Sequence, residues 1–407
     1  MGLIKLSQIA SIYMGQSPPG NTYNLEKKGL PFFQGVTDFN YRFPTNRVYC
    51  TKPSRIAEKG DILLSVRAPI GRVNIAVEKC STGRGLAIIR PFDVEDNGYI
   101  EYFLRSIETY WSMLDGSGVI FGNAKKSDLE SLLISWPDKT IRNRIAFILS
   151  TYDDLIENNL RRIKILEEFA QTLYREWFIN FRFPDYESYN FVDSPIGRVP
   201  EGFIADFNDF VDFKEGPGIR RWQYKTDGIP FLNIRTLVNN DIDLSKVNFL
   251  DPEEVKNKYQ HFLLKEYDHV VSSSGTLGRV VTIQENHLPL MLNTSIIRMR
   301  SINESVGKWQ LKHFLLSNYF QNQIKSFATG AAQLNYGPFH LNQMYIISPP
   351  NNLGTEYEEL VDPIENYIIS LVTKNNNLSK TRDLLLPKLI SGELDVSNID
   401  IPITQED

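Results

Sequence analysis

The sequence predicts an α+β protein in which two similar mixed α/β units are joined by two long antiparallel coiled-coil helices. The first observation is an internal duplication: GDILLSVRAPIGRV at 60–73 matches YDHVVSSSGTLGRV at 267–280, at an offset of 207 residues. LPFFQ at 30–34 matches IPFLN at 229–233 at an offset of 199 residues. The second observation is that a long segment with a heptad pattern follows each copy. A duplication inside one chain predicts a pseudo-two-fold internal repeat without a dimer.

Length and charge divide the chain into successive segments. Its 407 residues are too many for one hydrophobic core. We expect a globular unit at 1–140, a helix at 141–184, a second unit at 185–352 with a linker at 185–200, a helix at 353–396 and an acidic tail at 397–407. The net charge of −5 is concentrated at the C-terminal end, because residues 351–407 carry −7 whereas residues 1–140 carry +3. A chain that held a polyanion unaided would be more basic.

Residues 1–140 are expected to mix short strands with turns. Runs rich in β-branched and aliphatic residues predict strands at 62–66, 73–77 and 86–90. Apolar residues at helical spacing predict an amphipathic helix over 99–114.

The two long helices are predicted from apolar seams whose residues are alternately three and four positions apart. In the first segment the seam runs from Ile145 to Leu173, and a neighbouring seam widens the apolar stripe over about 40 residues. Such a wide stripe indicates packing against more than one helix. The second segment carries a similar seam from Val361 to Leu389, and Gly392 is its expected C-cap.

Asn159 and Asn375 occupy corresponding polar positions in the two seams. In a coiled coil, a polar residue of this kind can fix the register and the orientation of the partner helix. The alternative is a solvated gap in an imperfect seam, and the sequence leaves both interpretations open.

Several kinds of catalytic or metal site are not supported by the sequence. Two Ser-Pro-Pro segments, at 17–19 and 348–350, lack the Asn or Asp and the aromatic residue of an amino-methyltransferase motif, so we interpret both as turns. No glycine-rich turn is followed by Lys-Ser or Lys-Thr, which argues against an ATP site. The five histidines have no metal-ligand spacing, and Cys50 and Cys80 are expected to be free thiols.

The loops that follow equivalent strands are the candidates for contact with DNA. Both copies close the loop with Gly-Arg-Val, but its chemistry differs, since Ser274 stands where the first copy has Arg67. Units that recognise different DNA sequences need such a common frame with different side chains at the base edges. The alternative is that these residues form plain turns and a solvated basic surface. The candidate DNA-binding residues are Arg67, Arg72, Arg84, Asn123, Lys125, Lys126, Arg220, Arg221, Ser273, Ser274, Thr276, Arg279, Asn335 and Tyr336.

Arg72 and Arg279 occupy the same place in both copies, directly after a glycine. A residue that is shared by units with different base preferences is expected to contact the phosphate groups common to all DNA. Arg67 has no basic counterpart and is the better candidate for a bidentate contact to guanine.

The chain resembles the specificity subunit of Type I restriction-modification systems from residue 1 to about residue 396. The resemblance rests on the order of unit, heptad helix, unit and heptad helix, and on the repeated IPF, GDIL and SxGTxGRV-like sequences. It also rests on LYREWFINFRFP at 173–184 and RDLLLPKLISGELDV at 382–396. The first copy departs from the pattern, because Arg67-Ala68-Pro69 replaces the usual Ser-Gly-Thr.

The resemblance implies that each unit is a target-recognition domain for one half of a split double-stranded DNA sequence, and that this chain has no catalytic role. Two modification subunits would bind around the helices and methylate adenine N6 with S-adenosylmethionine. Up to two restriction subunits, which use ATP and Mg²⁺, would join them in a bacterial or archaeal cytoplasm. No cofactor is therefore expected on this chain. The helix residues expected to contact other subunits are Leu149, Tyr152, Ile156, Ile163, Leu166, Trp177, Ile364, Leu371, Leu378 and Leu385.

The competing hypothesis is a coiled-coil scaffold or adaptor protein that recognises no base. The nearly neutral globular units favour this hypothesis, whereas the different loops on a common frame argue against it. The sequence leaves open which bases are recognised and how far apart the two half-sites lie.

Overall fold

A computed structural model describes residues 2–108, 111, 123–238, 241–302, 305–328, 335–350 and 352–400 of the chain. Residues 401–407 of the expected acidic tail, and residues 109, 110 and 112–114 of the expected helix at 99–114, lie outside the described residues. The chain divides into two compact units, the first formed by Met1–Arg161 with Thr373–Asp407 and the second by Arg162–Val372. In the described part, no helix is both long and apolar enough to cross a membrane.

The globular part of the first unit consists of short strands and α-helices in its described residues. The strands are β1 (Gly2–Lys5), β2 (Ala10–Met14), β3 (Tyr23–Asn24), β4 (Leu30–Phe33), β5 (Tyr49–Cys50), β6 (Ile56–Ala57), β7 (Ile62–Ser65), β8 (Val73–Ile75), β9 (Cys80–Thr82), β10 (Leu86–Pro91) and β11 (Leu133–Trp136). The helices are Asn97–Ser106 and Lys126–Glu130. The three predicted strands are confirmed as β7, β8 and β10.

Three sheets build this globular part. They have the strand orders β2-β10-β7-β8, β3-β5-β4-β9-β6 and β1-β11. All pairings are antiparallel except the parallel pairing of β4 with β9. Strand β10 lies between two neighbours, and its first four residues are buried. This burial explains why the strand is a continuous apolar run instead of an alternating one. Cys50 and Cys80 are both buried and free, as predicted.

The second unit repeats this construction. Its strands are β12 (Phe191–Ser194), β13 (Gly197–Pro200), β14 (Ile204–Asp206), β15 (Val211–Glu215), β16 (Tyr224–Lys225), β17 (Ile229–Leu232), β18 (Leu237–Val238), β19 (Asp241–Ile242), β20 (Asn248–Leu250), β21 (His269–Ser272), β22 (Val280–Thr282), β23 (Met291–Leu292), β24 (Ile296–Ser301) and β25 (Tyr345–Ile347). Its helices outside the long ones are Phe207–Phe210, Pro252–Glu254, Lys308–Leu316, Asn318–Phe327 and Pro338–Leu341.

The strand orders of the two units correspond. The orders β15-β24-β21-β22, β16-β20-β17-β23 and β14-β25 match the three sheets of the first unit, apart from one edge strand. The parallel pairing also recurs, between β17 and β23. The internal duplication predicted from short sequence matches is therefore confirmed as a repeat of the fold.

The two long helices extend over Lys139–Phe178 and Leu353–Ser391 and contain 40 and 39 residues. The first begins two residues before the predicted position 141 and ends six residues before position 184. Gly392 follows the second helix with a φ of 76°, a left-handed conformation that glycine adopts without strain. The predicted C-cap is therefore confirmed.

In the first unit, the pieces of the two long helices run antiparallel. Asn159 lies opposite Asn375, and Asp153 pairs with Arg382, so the residue number rises along one helix as it falls along the other. The Nδ2 of Asn159 donates a hydrogen bond to Oδ1 of Asn375 at 2.8 Å. The two asparagines are therefore partners across the seam, and the interpretation as a solvated gap is wrong.

The second unit contains an equivalent antiparallel pair. Ile163 packs with Leu371 in one apolar cluster. Farther along, the ring of Trp177 lies 5.6 Å from that of Tyr357. The apolar seams thus hold the two helices of the same chain together.

A buried carboxylate of the first helix binds to the globular part of the first unit. Asp153 is fully buried and accepts hydrogen bonds from the hydroxyls of Tyr41 at 2.6 Å and Tyr102 at 2.8 Å. Burial opposes the charged form, but the nearby guanidinium groups of Arg105 and Arg382 hold the pKa of Asp153 below its ordinary value. The helix is therefore joined to the globular part by buried hydrogen bonds and ion pairs of Asp153.

Glu365 of the second helix has the same role in the second unit. It accepts a hydrogen bond from Nε2 of His313 at 2.8 Å and pairs with Lys312. Nδ1 of His313 in turn lies 2.7 Å from the hydroxyl of Tyr357. Although burial opposes ionisation, Lys312 and His313 lower the pKa of Glu365 to about 2. Each long helix thus supplies one buried carboxylate to a globular part.

Candidate nucleic-acid interface

Ser65 organises the loop that joins β7 to β8 in the first unit. Its Oγ donates a hydrogen bond to the carbonyl of Pro69 at 2.7 Å and accepts one from the N–H of Arg72 at 2.9 Å. The N–H of Gly71 donates to the Ser65 carbonyl at 3.0 Å, and Gly71 has a φ of 92°, which favours glycine. Because one side chain ties both sides of the loop together, Arg67 starts from a defined backbone position.

The second unit repeats this hydrogen-bond pattern in the loop that joins β21 to β22. The Oγ of Ser272 donates to the carbonyl of Thr276 at 2.6 Å and accepts from the N–H of Arg279 at 2.9 Å. The sequence Arg67-Ala68-Pro69, which departs from the family pattern, therefore closes the same kind of loop as its counterpart in the second unit.

Two other segments meet this loop in the first unit. The N–H of Val66 donates to the carbonyl of Gly85, and the carbonyl of Val66 accepts from the N–H of Ala124, both at 2.9 Å. Their neighbours in the sequence, Arg67 and Asn123, lie opposite each other in an isolated β-bridge. The loop, the glycine-rich turn before β10 and the segment around Asn123 therefore lie side by side.

The same three segments meet in the second unit. The N–H of Ser273 donates to the carbonyl of Ser295 at 2.9 Å, and the N–H of Tyr336 donates to the carbonyl of Ser273 at 3.1 Å. Ser274 and Asn335 form the corresponding isolated β-bridge. Sequence positions that are far apart thus come together in the same way in each unit.

Several side chains of the first unit that the sequence predicts to contact DNA are exposed. They form no ion pair within the described residues. They are Arg67, Arg84, Asn123 and Lys125. Their three segments are adjacent, so they form one basic and polar surface. Such a surface can contact the phosphates and base edges of DNA.

Two other basic residues of the first unit that the sequence predicts to contact DNA are exposed but form ion pairs. Nε of Arg72 lies 2.9 Å from the carboxylate of Glu108, and Nζ of Lys126 lies 3.3 Å from that of Glu130. Exposed pairs of this kind contribute at most about 1 kcal/mol, so an incoming phosphate can compete with the carboxylate.

The loop of the second unit is less basic. Thr276, Arg279 and Asn335 are exposed, and Ser274 is half-buried. Nη1 of Arg279 donates to the carbonyl of Leu237 at 3.0 Å, which leaves the other guanidinium donors available.

The predicted DNA contacts of Ser273 and Tyr336 are not supported by the structure. Ser273 is 1% exposed and Tyr336 is 2% exposed, so neither side chain lies on the surface. They occupy the places of Val66 and Ala124 in the first unit, which are also buried. Side chains alternate between the two faces of an extended segment, so Ser273 points inward where Ser274 does not.

The comparisons with known proteins agree with this geometry. The family described as "Type I restriction modification DNA specificity domain" matches residues 2–168. The specificity subunit of the Type I restriction enzyme MjaIX from Methanocaldococcus jannaschii is 29% identical over 353 residues, which cover 85% of this chain and 80% of that protein. The chain is therefore similar to the specificity subunits of Type I restriction-modification systems.

Two other members of the specificity family differ in how much of the chain they match. The putative MjaX specificity subunit of the same organism is 44% identical over 147 residues, covering 36% of this chain and 34% of that protein. A crystal structure of the Type I restriction-modification S subunit from M. genitalium has a TM-score of 0.55 and 16% identity, and covers 95% of both chains. The likeness to the M. genitalium structure shows a similar fold.

A third group of residues that the sequence predicts to contact DNA lies on the turn Arg221–Gln223, before β16. The N–H of Arg220 donates to Oε1 of Gln223 at 2.9 Å. Arg220 and Arg221 are exposed, and Trp222 between Arg221 and Gln223 is 77% exposed. No hydrogen bond in the described ranges joins these side chains to the loop after β21, so their place in the DNA contact stays a prediction.

The helix residues predicted to contact other subunits face the interior of the chain. Leu149, Ile156, Ile163 and Leu371 are buried. Tyr152, Leu166, Trp177, Ile364, Leu378 and Leu385 are half-buried. These seams pack the chain against itself. Exposed apolar residues on the long helices are Phe147, Leu155, Leu160, Ile165, Phe169, Leu360, Tyr367 and Leu384.

Sequence reasoning missed a group of polar side chains in the second unit. Asn233, Arg235, Asn248 and Asn293 line a recess of about 240 Å³ beside the loop after β21. They come from three separate segments, so no local motif marks them. A position-by-position comparison of the two copies would have drawn attention to Asn248, because the apolar residue Val48 occupies its place in the first unit.

Proposed function

We propose that this chain is the DNA-recognition subunit of a Type I restriction-modification complex, and that its two units recognise the two halves of a split target. The observation that carries the proposal is the duplicated loop frame, in which the hydrogen bonds of Ser65 recur at Ser272 while the exposed side chains differ. Recognition of two different half-sites requires a common frame with different surface chemistry. A scaffold that recognises no base would gain nothing from this difference.

Base recognition in the first unit is assigned to Arg67. Its side chain is exposed, has no ion pair within the described residues and follows a backbone that is held on both sides of the loop. A guanidinium group matches the O6 and N7 acceptors of guanine in a bidentate contact. Ser274 occupies the same place in the second unit. Because its side chain is a short hydroxyl, it is expected to favour a different base.

Phosphate contacts are assigned to Arg72 and Arg279. Both follow the loop glycine, and both have their backbone N–H bound to the loop serine, so the two side chains start from equivalent positions. A phosphate contact contributes affinity without depending on sequence, which suits a residue that both units share.

The catalytic functions are assigned to other subunits. The chain has a net charge of −5, so partner subunits are expected to supply much of the positive charge that holds DNA. In this proposal, two modification subunits bind the outer faces of the long helices and use S-adenosylmethionine to methylate adenine N6. Restriction subunits supply the sites for ATP and Mg²⁺.

Mapping of N6-methyladenine tests the proposal. The chain is co-expressed with its modification subunit in a host that lacks other adenine methylation. We expect methylation of one split motif, and none when the chain is omitted. Methylation that is independent of the chain, or a motif without two separated halves, would contradict the proposal.

A further inference from the structure

The recess in the second unit adjoins the proposed recognition loop. The carbonyl of Ser295, which lines the recess, accepts the N–H of Ser273 from that loop. On the other side, the carbonyl of Leu237, two residues after Arg235, accepts the guanidinium of Arg279. The recess and the loop therefore belong to one continuous surface.

Hydrogen-bonding groups of the recess remain available. Oδ1 of Asn233 accepts the N–H of Arg235, and Oδ1 of Asn293 accepts the N–H of Ser295, both at 2.9 Å. These bonds fix both asparagine side chains and direct their remaining hydrogen-bonding capacity elsewhere. Within the described residues, the amide of Asn248 and the guanidinium of Arg235 have no hydrogen-bond partner, and both side chains are exposed. The rim of the recess thus presents unused polar groups on a fixed backbone.

The backbone at the rim is well defined. Asn248 lies in β20, where it pairs with Phe231 of β17. Arg235 lies in the short turn Ile234–Thr236, whose N-cap is Asn233. Aromatic rings support the recess, since Tyr224 and Phe231 both line it with their centroids 6.1 Å apart. Side chains that start from such rigid elements are suited to specific recognition.

The first unit has different residues at the equivalent place. The strand pairings align Asn248 with Val48, and Asn293 with Gly83. A Cβ atom at Gly83 would lie 3.0 Å from the Cα of Gln34, and one at Gly85 would lie 2.3 Å from the Gln34 carbonyl oxygen. The glycines allow Gln34 to pack tightly in the first unit, whereas the second unit has larger and more polar residues there. The asparagine lining of the recess is therefore particular to the second unit.

We propose that Arg235 and Asn248 are specificity-determining residues that recognise purine edges in the second half of the DNA target. The inference rests on the proposed function and assigns the base contacts that the short side chain of Ser274 cannot supply alone. Arginine pairs with O6 and N7 of guanine, and asparagine pairs with N6 and N7 of adenine, both in the major groove. In this proposal, the recess accommodates the edge of a base.

The test uses the complex of this chain with its modification subunit and three variants. Arg235→Ala removes the guanidinium, and Asn248→Val introduces the residue of the first unit. Arg198→Ala is the matched control, because Arg198 is an exposed arginine of the same unit that lies on β13 and has no ion pair within the described residues. All three side chains are exposed, so the variants are expected to unfold at the wild-type temperature, which circular dichroism checks.

Methylome mapping and affinities for single-base variants of the target give the result. We expect Arg235→Ala and Asn248→Val each to relax the choice at one base pair of one half-site, by about 5- to 150-fold in relative affinity. The other half-site and the Arg198→Ala motif should be unchanged. If the wild-type complex has a split motif that neither variant alters, or if Arg198→Ala alters it equally, the assignment of the recess is wrong. A wild-type methylome without a split motif would overturn the proposed function and this inference together.

Discussion

The two recognition loops differ at the residue that stands opposite an asparagine. Arg67 faces Asn123 in the first unit, and Ser274 faces Asn335 in the second. The backbone hydrogen bonds around these pairs are the same in both units. If the loops recognise different bases, the side chains at these two positions are the first candidates for the difference.

Substitution of the two arginines in the first loop should separate base contact from phosphate contact. Arg67→Ala is expected to relax the choice at one base pair by about 1–3 kcal/mol. Arg72→Ala is expected to weaken binding evenly across sequences and to reduce the slope of log affinity against log salt by about one. Affinities of the complex for a panel of single-base variants at several salt concentrations distinguish these outcomes. If Arg67→Ala lowers every affinity equally, Arg67 contacts a phosphate.

The buried carboxylate of Glu365 should make the stability of the second unit depend on pH. Folding lowers its pKa from the ordinary value of 4.5 to about 2, so its stabilisation is complete above pH 4.5 and is lost as the pH falls towards 2. Glu365→Gln leaves Lys312 and His313 without their charged partner and should cost about 3–5 kcal/mol at pH 7. Urea unfolding at pH 7 and pH 3.5 should show a smaller cost at the lower pH.

The control for this experiment is Glu359→Gln, because Glu359 is exposed on the same helix and has no ion pair within the described residues. It should leave the stability nearly unchanged. Equal effects of the two substitutions, or a cost for Glu365→Gln that does not shrink at pH 3.5, would argue against a stabilising role for the buried carboxylate.

At the scale of the elements, the asparagine pair across the seam couples the two long helices in the first unit. Asn159→Leu should leave Asn375 with only its 3.5 Å contact to the Ile156 carbonyl and cost about 1–3 kcal/mol. The double variant with Asn375→Leu should recover most of this cost, because no unpaired amide remains. Urea unfolding of the four proteins measures the coupling as a double-mutant cycle. Costs that simply add would show that the hydrogen bond is not important for stability.

At the scale of the whole molecule, the repeated fold makes each unit an independent candidate for exchange. Replacing residues 1–140 by the same segment of a relative should change only one half of the methylated motif, because the second loop and its recess are untouched. The core of the first unit also contains Ile145, Leu149, Leu386 and Leu389 from the long helices, so the relative should carry apolar residues of similar size there. Mapping of N6-methyladenine identifies the new motif. A change in both halves would show that the units do not act separately.

Local patterns determined much of this fold from the sequence alone. The strands at β7, β8 and β10, the two helices of about 40 residues and the cap at Gly392 follow from periodicity and turn chemistry within short windows. The duplication predicted two similar units because the matches preserve both residue type and order. The candidate loops were predictable for the same reason, since they interrupt a frame that is otherwise kept.

Tertiary structure alone decided which of these residues face outward and which segments meet. Ser273 and Tyr336 look polar in the sequence but are buried, because their orientation depends on the segments packed around them. The partners of Asp153 and Glu365 lie far away in the chain, and four separate segments form the recess around Asn248. Contacts between distant segments leave no regular spacing in the sequence, so only the folded chain could reveal them.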